Sequence, residues 1–204
     1  MRPRPRLAAY GLVMAVLGMS CVSFGPGIPG TPCPVEWTPS GSIDEAAASF
    51  RARMRLRVGD EEIHLELITE ARSGEQVVVA LSQYGSRLFA IHQRDMDVTV
   101  VGASSRELEQ VALWVLDALH RAYWIRADFD SEGDLEFGNG RWAGEHVKLA
   151  REGGLWIREF TLPDFGSTTG RVTIEYNQGK AGEARPKVTI RNPWCGYDAV
   201  IIPI

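Results

Sequence analysis

Between Phe50 and Val58 every second residue is arginine: Arg51, Arg53, Arg55 and Arg57 alternate with Phe50, Ala52, Met54, Leu56 and Val58. A period of two puts all the arginines on one face of a strand and all the apolar residues on the other. Gly59-Asp60 follows and suits a two-residue hairpin turn with Gly at its first central position. Folding the chain there sets Arg57 opposite Glu62, Arg55 opposite His64 and Arg53 opposite Glu66. The same register sets Leu56 opposite Ile63, Met54 opposite Leu65 and Ala52 opposite Leu67. Both faces match at once, so the chain is committed to a two-sided antiparallel sheet. An arginine row also suits a phosphate or lipid headgroup. Carboxylates on the next strand make a solvated sheet face the better expectation.

More strands follow. Gln76–Gln83 is apolar on both faces through Val77, Val78, Val79 and Leu81, which suits an inner strand. Arg87–Gln93 and Met96–Val101 flank a polar turn. Later strands are expected at Leu135–Phe137, Arg141–Ala150, Leu155–Leu162, Gly170–Tyr176, Pro186–Arg191 and Tyr197–Ile202. One substantial helix interrupts them. Ser104-Ser-Arg-Glu107 fits a capping box, and apolar residues at Leu108, Val111, Ala112, Val115, Leu116, Leu119 and Tyr123 carry the helical period. Arg106, Gln110, Asp117, His120 and Arg121 form its polar stripe, and Trp114 and Trp124 add bulk. The expected fold is mostly β (α+β): an incomplete antiparallel β-barrel of about eleven strands wrapping one main helix.

The first 20 residues belong to no fold. Arg2, Arg4 and Arg6 precede an apolar run from Leu7 to Met19, and small residues lead into Cys21. This is a secretory signal, too short for the roughly 18–20 residues of a membrane span. Cys21 is the candidate lipid attachment site. Bacterial lipoproteins usually carry Leu three places before that cysteine; here Gly18 holds the place and Leu17 lies one further back, so ordinary cleavage nearby is the other reading. Residues 21–41 then form a tether, with five Pro and four Gly between Val22 and Gly41. The domain occupies residues 42–204, opening on a short helix capped by Ser42-Ile-Asp-Glu45. If Cys21 takes lipid, Cys33 and Cys195 remain as an even pair. They are candidates for a disulfide in an oxidising compartment, or stay two free thiols.

Charge and motif narrow the functional classes. The whole chain carries −4, and losing the three signal arginines makes the mature chain three units more negative, a poor match for nucleic acid. The four histidines stand singly and read as surface residues, not metal ligands. There is no G-x-S-x-G, and Cys33 lies in a Pro-rich stretch unsuited to orienting a nucleophile. The run Asp128-Phe-Asp-Ser-Glu-Gly133 begins like a calcium loop, but its twelfth place is Asn139 where the motif needs Glu, so a solvated acidic turn is expected. No metal, cofactor or enzymatic activity is expected. Six Trp and seven Phe either line an apolar cavity or fill a core.

The export signal ending in Cys, the Pro-rich tether, the strand run and the lone helix resemble LolA/LolB-like lipoproteins, whose incomplete β-barrel holds acyl chains around a helix. More narrowly, Tyr84-Gly-Ser-Arg-Leu-Phe89 and Asn192-Pro-Trp-Cys-Gly-Tyr197 are similar to an uncharacterised LolB-like lipoprotein family encoded in aryl-polyene clusters. The resemblance carries no catalytic residues and transfers only Cys21. Because Val22 follows, not the Asp read as inner-membrane retention, it implies the periplasmic face of the outer membrane. The expected function is binding or transfer of lipid, lipoprotein acyl chains of the palmitate type, or another long apolar molecule. Met54, Leu56, Leu65, Leu67, Trp114, Leu116 and Trp124 are the cavity candidates. The competing expectation is a structural or assembly lipoprotein with a filled core and an envelope protein partner.

Overall fold

The computed structural model describes residues 49–72, 74–94, 97–124, 128–129, 137–142, 145–161, 171–177 and 185–204. Twelve strands form one sheet: β1 (Phe50–Val58), β2 (Glu61–Arg72), β3 (Glu75–Ser82), β4 (Arg87–Arg94), β5 (Asp97–Val101), β6 (Asp128–Phe129), β7 (Phe137–Trp142), β8 (Glu145–Glu152), β9 (Leu155–Thr161), β10 (Arg171–Asn177), β11 (Lys187–Asn192) and β12 (Tyr197–Pro203). Their order is β5-β4-β3-β2-β1-β12-β11-β10-β9-β8-β7-β6. Two meanders, β1–β5 and β6–β12, are therefore zipped together where the first strand pairs antiparallel with the last. β5 and β6 are the two ends of this order, so the sheet is open.

The β1–β2 hairpin forms in the register that the alternation dictates, with Arg57 opposite Glu62, Arg53 opposite Glu66, Leu56 opposite Ile63 and Met54 opposite Leu65. Gly59 turns the chain at φ +59°, a left-handed conformation that side chains bearing a Cβ rarely adopt. The arginines of β1 are exposed and Ala52, Met54 and Leu56 are buried. The face of each was legible, but not every partner. Arg57 pairs with Asp198 on β12, while Arg55 lies 3.8 Å from Glu62.

The two meanders are joined by the helix α1 (Arg106–Leu119), which continues through a π turn, His120–Trp124. The chain leaves the sheet at one open edge, β5, and re-enters at the other, β6. The connection thus has to cross the mouth between the two edges, and α1 is what crosses it. Its N-cap is Ser105, one residue after the expected Ser104; Ser105 accepts the Leu108 N–H at 3.3 Å. With Leu108 at the third helical position, the reciprocal half of a capping box has no Glu to make it.

Val111, Ala112, Val115, Leu116 and Leu119 of α1 share one core cluster with Phe89 of β4, Ile190 of β11 and Val147 of β8. β4 and β8 have seven strands between them. In a flat sheet, eight spacings of roughly 4.8 Å would put them about 38 Å apart. Both reach a single helix, so the sheet curls around α1 as a partial barrel. Three expectations differ from this fold. Arg141–Ala150 is not one strand: β7 ends at Trp142 and β8 begins at Glu145. The acidic run opens as the short strand β6, and its residues 130–136 lie outside the described residues, as does the helix expected from Ser42. Among the described residues the sheet has twelve strands, where about eleven were expected.

Candidate functional site

The C-terminal half of α1 carries polar residues that a surface helix would turn to water. Asp117, His120 and Arg121 are instead 2, 3 and 1 % exposed. This corrects the reading of a solvated stripe through those residues, and of His120 as a surface histidine; Arg106 at the other end of the helix is exposed as expected. The reason lies in the curl of the sheet. Once β8 to β12 close over the far side of the helix, no face of the stretch from Val115 to Ala122 is left for solvent.

Burying charge is tolerated only with complete partnering. Arg121 Nε donates to Asp117 Oδ1 at 3.0 Å, one helical turn away. Its two terminal nitrogens donate to the two oxygens of Glu145 on β8, at 2.7 and 3.0 Å, a bidentate fork. The guanidinium also lies over the Phe160 ring, 4.8 Å from its centroid. The second oxygen of Asp117 accepts from Asn192 Nδ2 at 2.9 Å and from the Tyr197 hydroxyl. Burial alone would lower the pKa of Arg121, but Asp117 and Glu145 outweigh it and hold the guanidinium charged. Burial, and then the neighbouring Asp117, push the Tyr197 hydroxyl well above its usual range, so it stays a donor.

A second tie runs to the opposite wall. His120 Nε2 and Gln93 Oε1 on β4 are 2.6 Å apart. Burial, with Arg121 alongside, lowers the imidazole pKa to about 3, so the ring is neutral at physiological pH. Two consecutive helix residues, His120 and Arg121, thereby hold strands that lie far apart in the sheet order. The π turn makes room for this and leaves backbone carbonyls to be satisfied. Arg121 O accepts from Arg158 Nη1 at 3.1 Å, Ala122 O from the Tyr176 hydroxyl at 2.9 Å, and the Tyr123 hydroxyl donates to Pro186 O at 3.2 Å.

Both motifs singled out in the sequence gain a physical role. In Asn192-Pro-Trp-Cys-Gly-Tyr197, Asn192 Oδ1 accepts the Cys195 N–H at 3.0 Å while its amide reaches Asp117, and Gly196 turns at φ +73° to start β12. The motif is thus the wall end of the buried network. In Tyr84-Gly-Ser-Arg-Leu-Phe89, Ser82 Oγ accepts from the Tyr84 and Ser86 N–H groups to close the β3–β4 hairpin, and Phe89 fills the core. Glu145, Asn192, Tyr197 and Gln93 were not foreseen as partners. The spacing of Asp117 and Arg121 by four residues was the only local signal, and it fits an exposed pair equally well.

Of the expected cavity residues, Met54, Leu56, Leu65, Leu67 and Leu116 are all at most 3 % exposed and belong to one core cluster. Trp114 and Trp124 pack against that cluster and are partly buried. Trp114 meets the Tyr197 ring at 6.4 Å, and Trp124 meets His120 edge-on at 5.0 Å. Cys195 is disulfide-bonded; Cys21 and Cys33, the chain's other cysteines, lie outside the described residues. Among the described residues no group of three or more His, Cys, Asp or Glu is placed to hold a metal, and no helix is long and apolar enough to cross a membrane.

Among the described residues the fold and site define a class: an open antiparallel sheet curled around one helix, whose C-terminal end is bound to the walls by buried charge. The model of a family described as "Protein of unknown function (DUF3261)" matches residues 49–204, and the chain belongs to that family. No curated protein matches it.

Proposed function

We propose that the protein is a lipid-anchored periplasmic lipoprotein that binds or transfers an acyl chain or another long apolar molecule, without covalent chemistry. The observation that carries this reading is the wall: the concave face is aliphatic from Leu67 through Leu56 and Ile201 to Ile190 and Ile174, and the only helix among the described residues crosses it. That helix is held at its C-terminal end by the polar network, while its first turn, Arg106, Glu107 and Glu109, is exposed. A cover fixed at one end and solvated at the other suits a wall that admits an apolar chain beneath it. Each Å² of apolar ligand surface buried there stabilises the complex by about 25 cal/mol. The LolA/LolB-like character of the half-barrel is part of this proposal. So are attachment through lipidated Cys21, residence at the periplasmic face of the outer membrane, and the Cys33–Cys195 pairing. Mass spectrometry of the protein extracted from membranes tests them together. Expected are a diacyl mass on Cys21 and a co-purifying lipid, with release of a soluble form on Cys21→Ser. Absence of any bound lipid, together with failure to bind a fluorescent fatty acid, rejects the acyl reading.

The competing reading is a structural or assembly lipoprotein with an envelope protein partner. It is favoured by the closure of Met54, Leu56, Leu65, Leu67 and Leu116 within the core. Under it, replacing Trp114 by a smaller residue destabilises the fold and changes no ligand affinity.

A further inference from the structure

One row of the concave wall departs from its aliphatic pattern. Gln76 on β3 stands directly opposite Gln93 on β4, with Ala71 of β2 on its other side. Gln76 lies on the same face as Val78 and Ala80, which are core residues, and is itself 4 % exposed. Neither its Nε2 nor its Oε1 has a hydrogen-bond partner, and the buried indole N–H of Trp124 has none either. These groups are neighbours in a chain of contacts: Gln76 faces Gln93, Gln93 meets His120, and the His120 ring abuts Trp124. Three buried polar atoms left unmatched are costly, so a partner for them is worth having. The next row along the same face is Thr69, Val78 and Ile91, and the one after it Leu67, Ala80 and Phe89. A polar row at one end of an aliphatic wall has the layout of an amphiphile.

We propose that Gln76 and Trp124 form the headgroup end of the apolar site, taking an uncharged hydrogen-bonding group such as an ester, amide or hydroxyl. The indole N–H and the Gln76 amide donate to its oxygen, the Gln76 carbonyl accepts from its N–H or O–H, and its chain runs along the aliphatic rows. A charged headgroup is disfavoured. Neither Gln76 nor Trp124 offers a counter-charge, and Asp117, Arg121 and Glu145 already saturate one another. This rests on the acyl-binding reading above and adds to it a polarity, an end and a headgroup class.

The test is competition for the purified protein loaded with a fluorescent naphthylamine dye, using glyceryl monolaurate, laurate and dodecane as displacing ligands. Glyceryl monolaurate is expected to displace the dye at about tenfold lower concentration than dodecane, with laurate the weaker of the two amphiphiles. Gln76→Met, which keeps the side-chain length, is expected to erase the preference while dodecane still binds, and Trp124→Phe to reduce it. Should one variant fail to fold, the other reads the same preference. Equal binding of monolaurate and dodecane, or a preference unchanged in both variants, overturns the headgroup site and leaves the acyl reading standing. If neither the dye nor any of the three ligands binds, both fall.

Discussion

Two sets of ion pairs show how differently the same chemistry behaves in two places. On the convex face, Arg55 and Arg57 meet Glu62 and Asp198 with their side chains half exposed or more, except for the carboxylates at 42 and 41 %. On the concave side, Arg121, Asp117 and Glu145 are at most 5 % exposed. Water screens the outer pairs, so either partner loses little when the other is removed. The inner triad has no such refuge; each charge is acceptable only while the others are present. The outer row therefore sets which face of β1 is wet, whereas the inner set decides where the helix sits and how far the sheet curls.

The sharpest way to break this contrast is Arg121→Met. It leaves two buried carboxylates facing one another, and a loss of about 3–5 kcal/mol in denaturant unfolding is expected. Adding Glu145→Leu should recover part of that loss, because one of the stranded charges goes with it. An unfolding free energy unchanged by Arg121→Met would mean that the triad does not hold the helix.

Acid should act next most strongly, through His120. Its pKa is about 3 in the folded protein and 6.5 when unperturbed, so between these values the unfolded chain binds the extra proton. Stability is then fully present above pH 6.5 and falls as pH drops towards 3, by about 3 kcal/mol between pH 6.5 and 4. His120→Gln, measured across the same range by thermal unfolding, should flatten that part of the profile. Smaller again is Asn192→Ala, which removes one donor to Asp117 and the cap on the Cys195 turn, and is expected to cost about 1–3 kcal/mol. Arg57→Ala completes the series at the exposed end: its unfolding midpoint should coincide with that of the unaltered protein and stay so in high salt. A large effect there would erase the distinction between the two faces.

The two regions also differ in how readable they were. Alternation over Phe50–Val58 and Glu61–Leu67 needs only neighbours in sequence, so its register, its turn at Gly59 and its wet face could all be derived from the chain. The helix likewise announced itself through Leu108, Val111, Val115, Leu116 and Leu119. Reading Asp117, His120 and Arg121 as solvated followed the same rule and failed. Whether a helix face meets water depends on the wall behind it, and that wall is built of residues such as Glu145 and Tyr197, which lie 24 and 76 residues further along than Arg121. Gln76 was hidden for the same reason: it sits at the start of a β-rich run, and only the folded sheet sets it opposite Gln93 with its side chain buried.

By itself the sequence determined most of the strands, the faces and register of the first hairpin, and the long helix, because each depends on periodicity and turn chemistry within a few residues. The tertiary structure alone decided the rest. It zipped β1 to β12, curled the open sheet around α1, and thereby converted a polar helix stripe into a buried brace. That outcome depends on strands that meet the helix from opposite ends of the sheet order, a relation that no local pattern encodes.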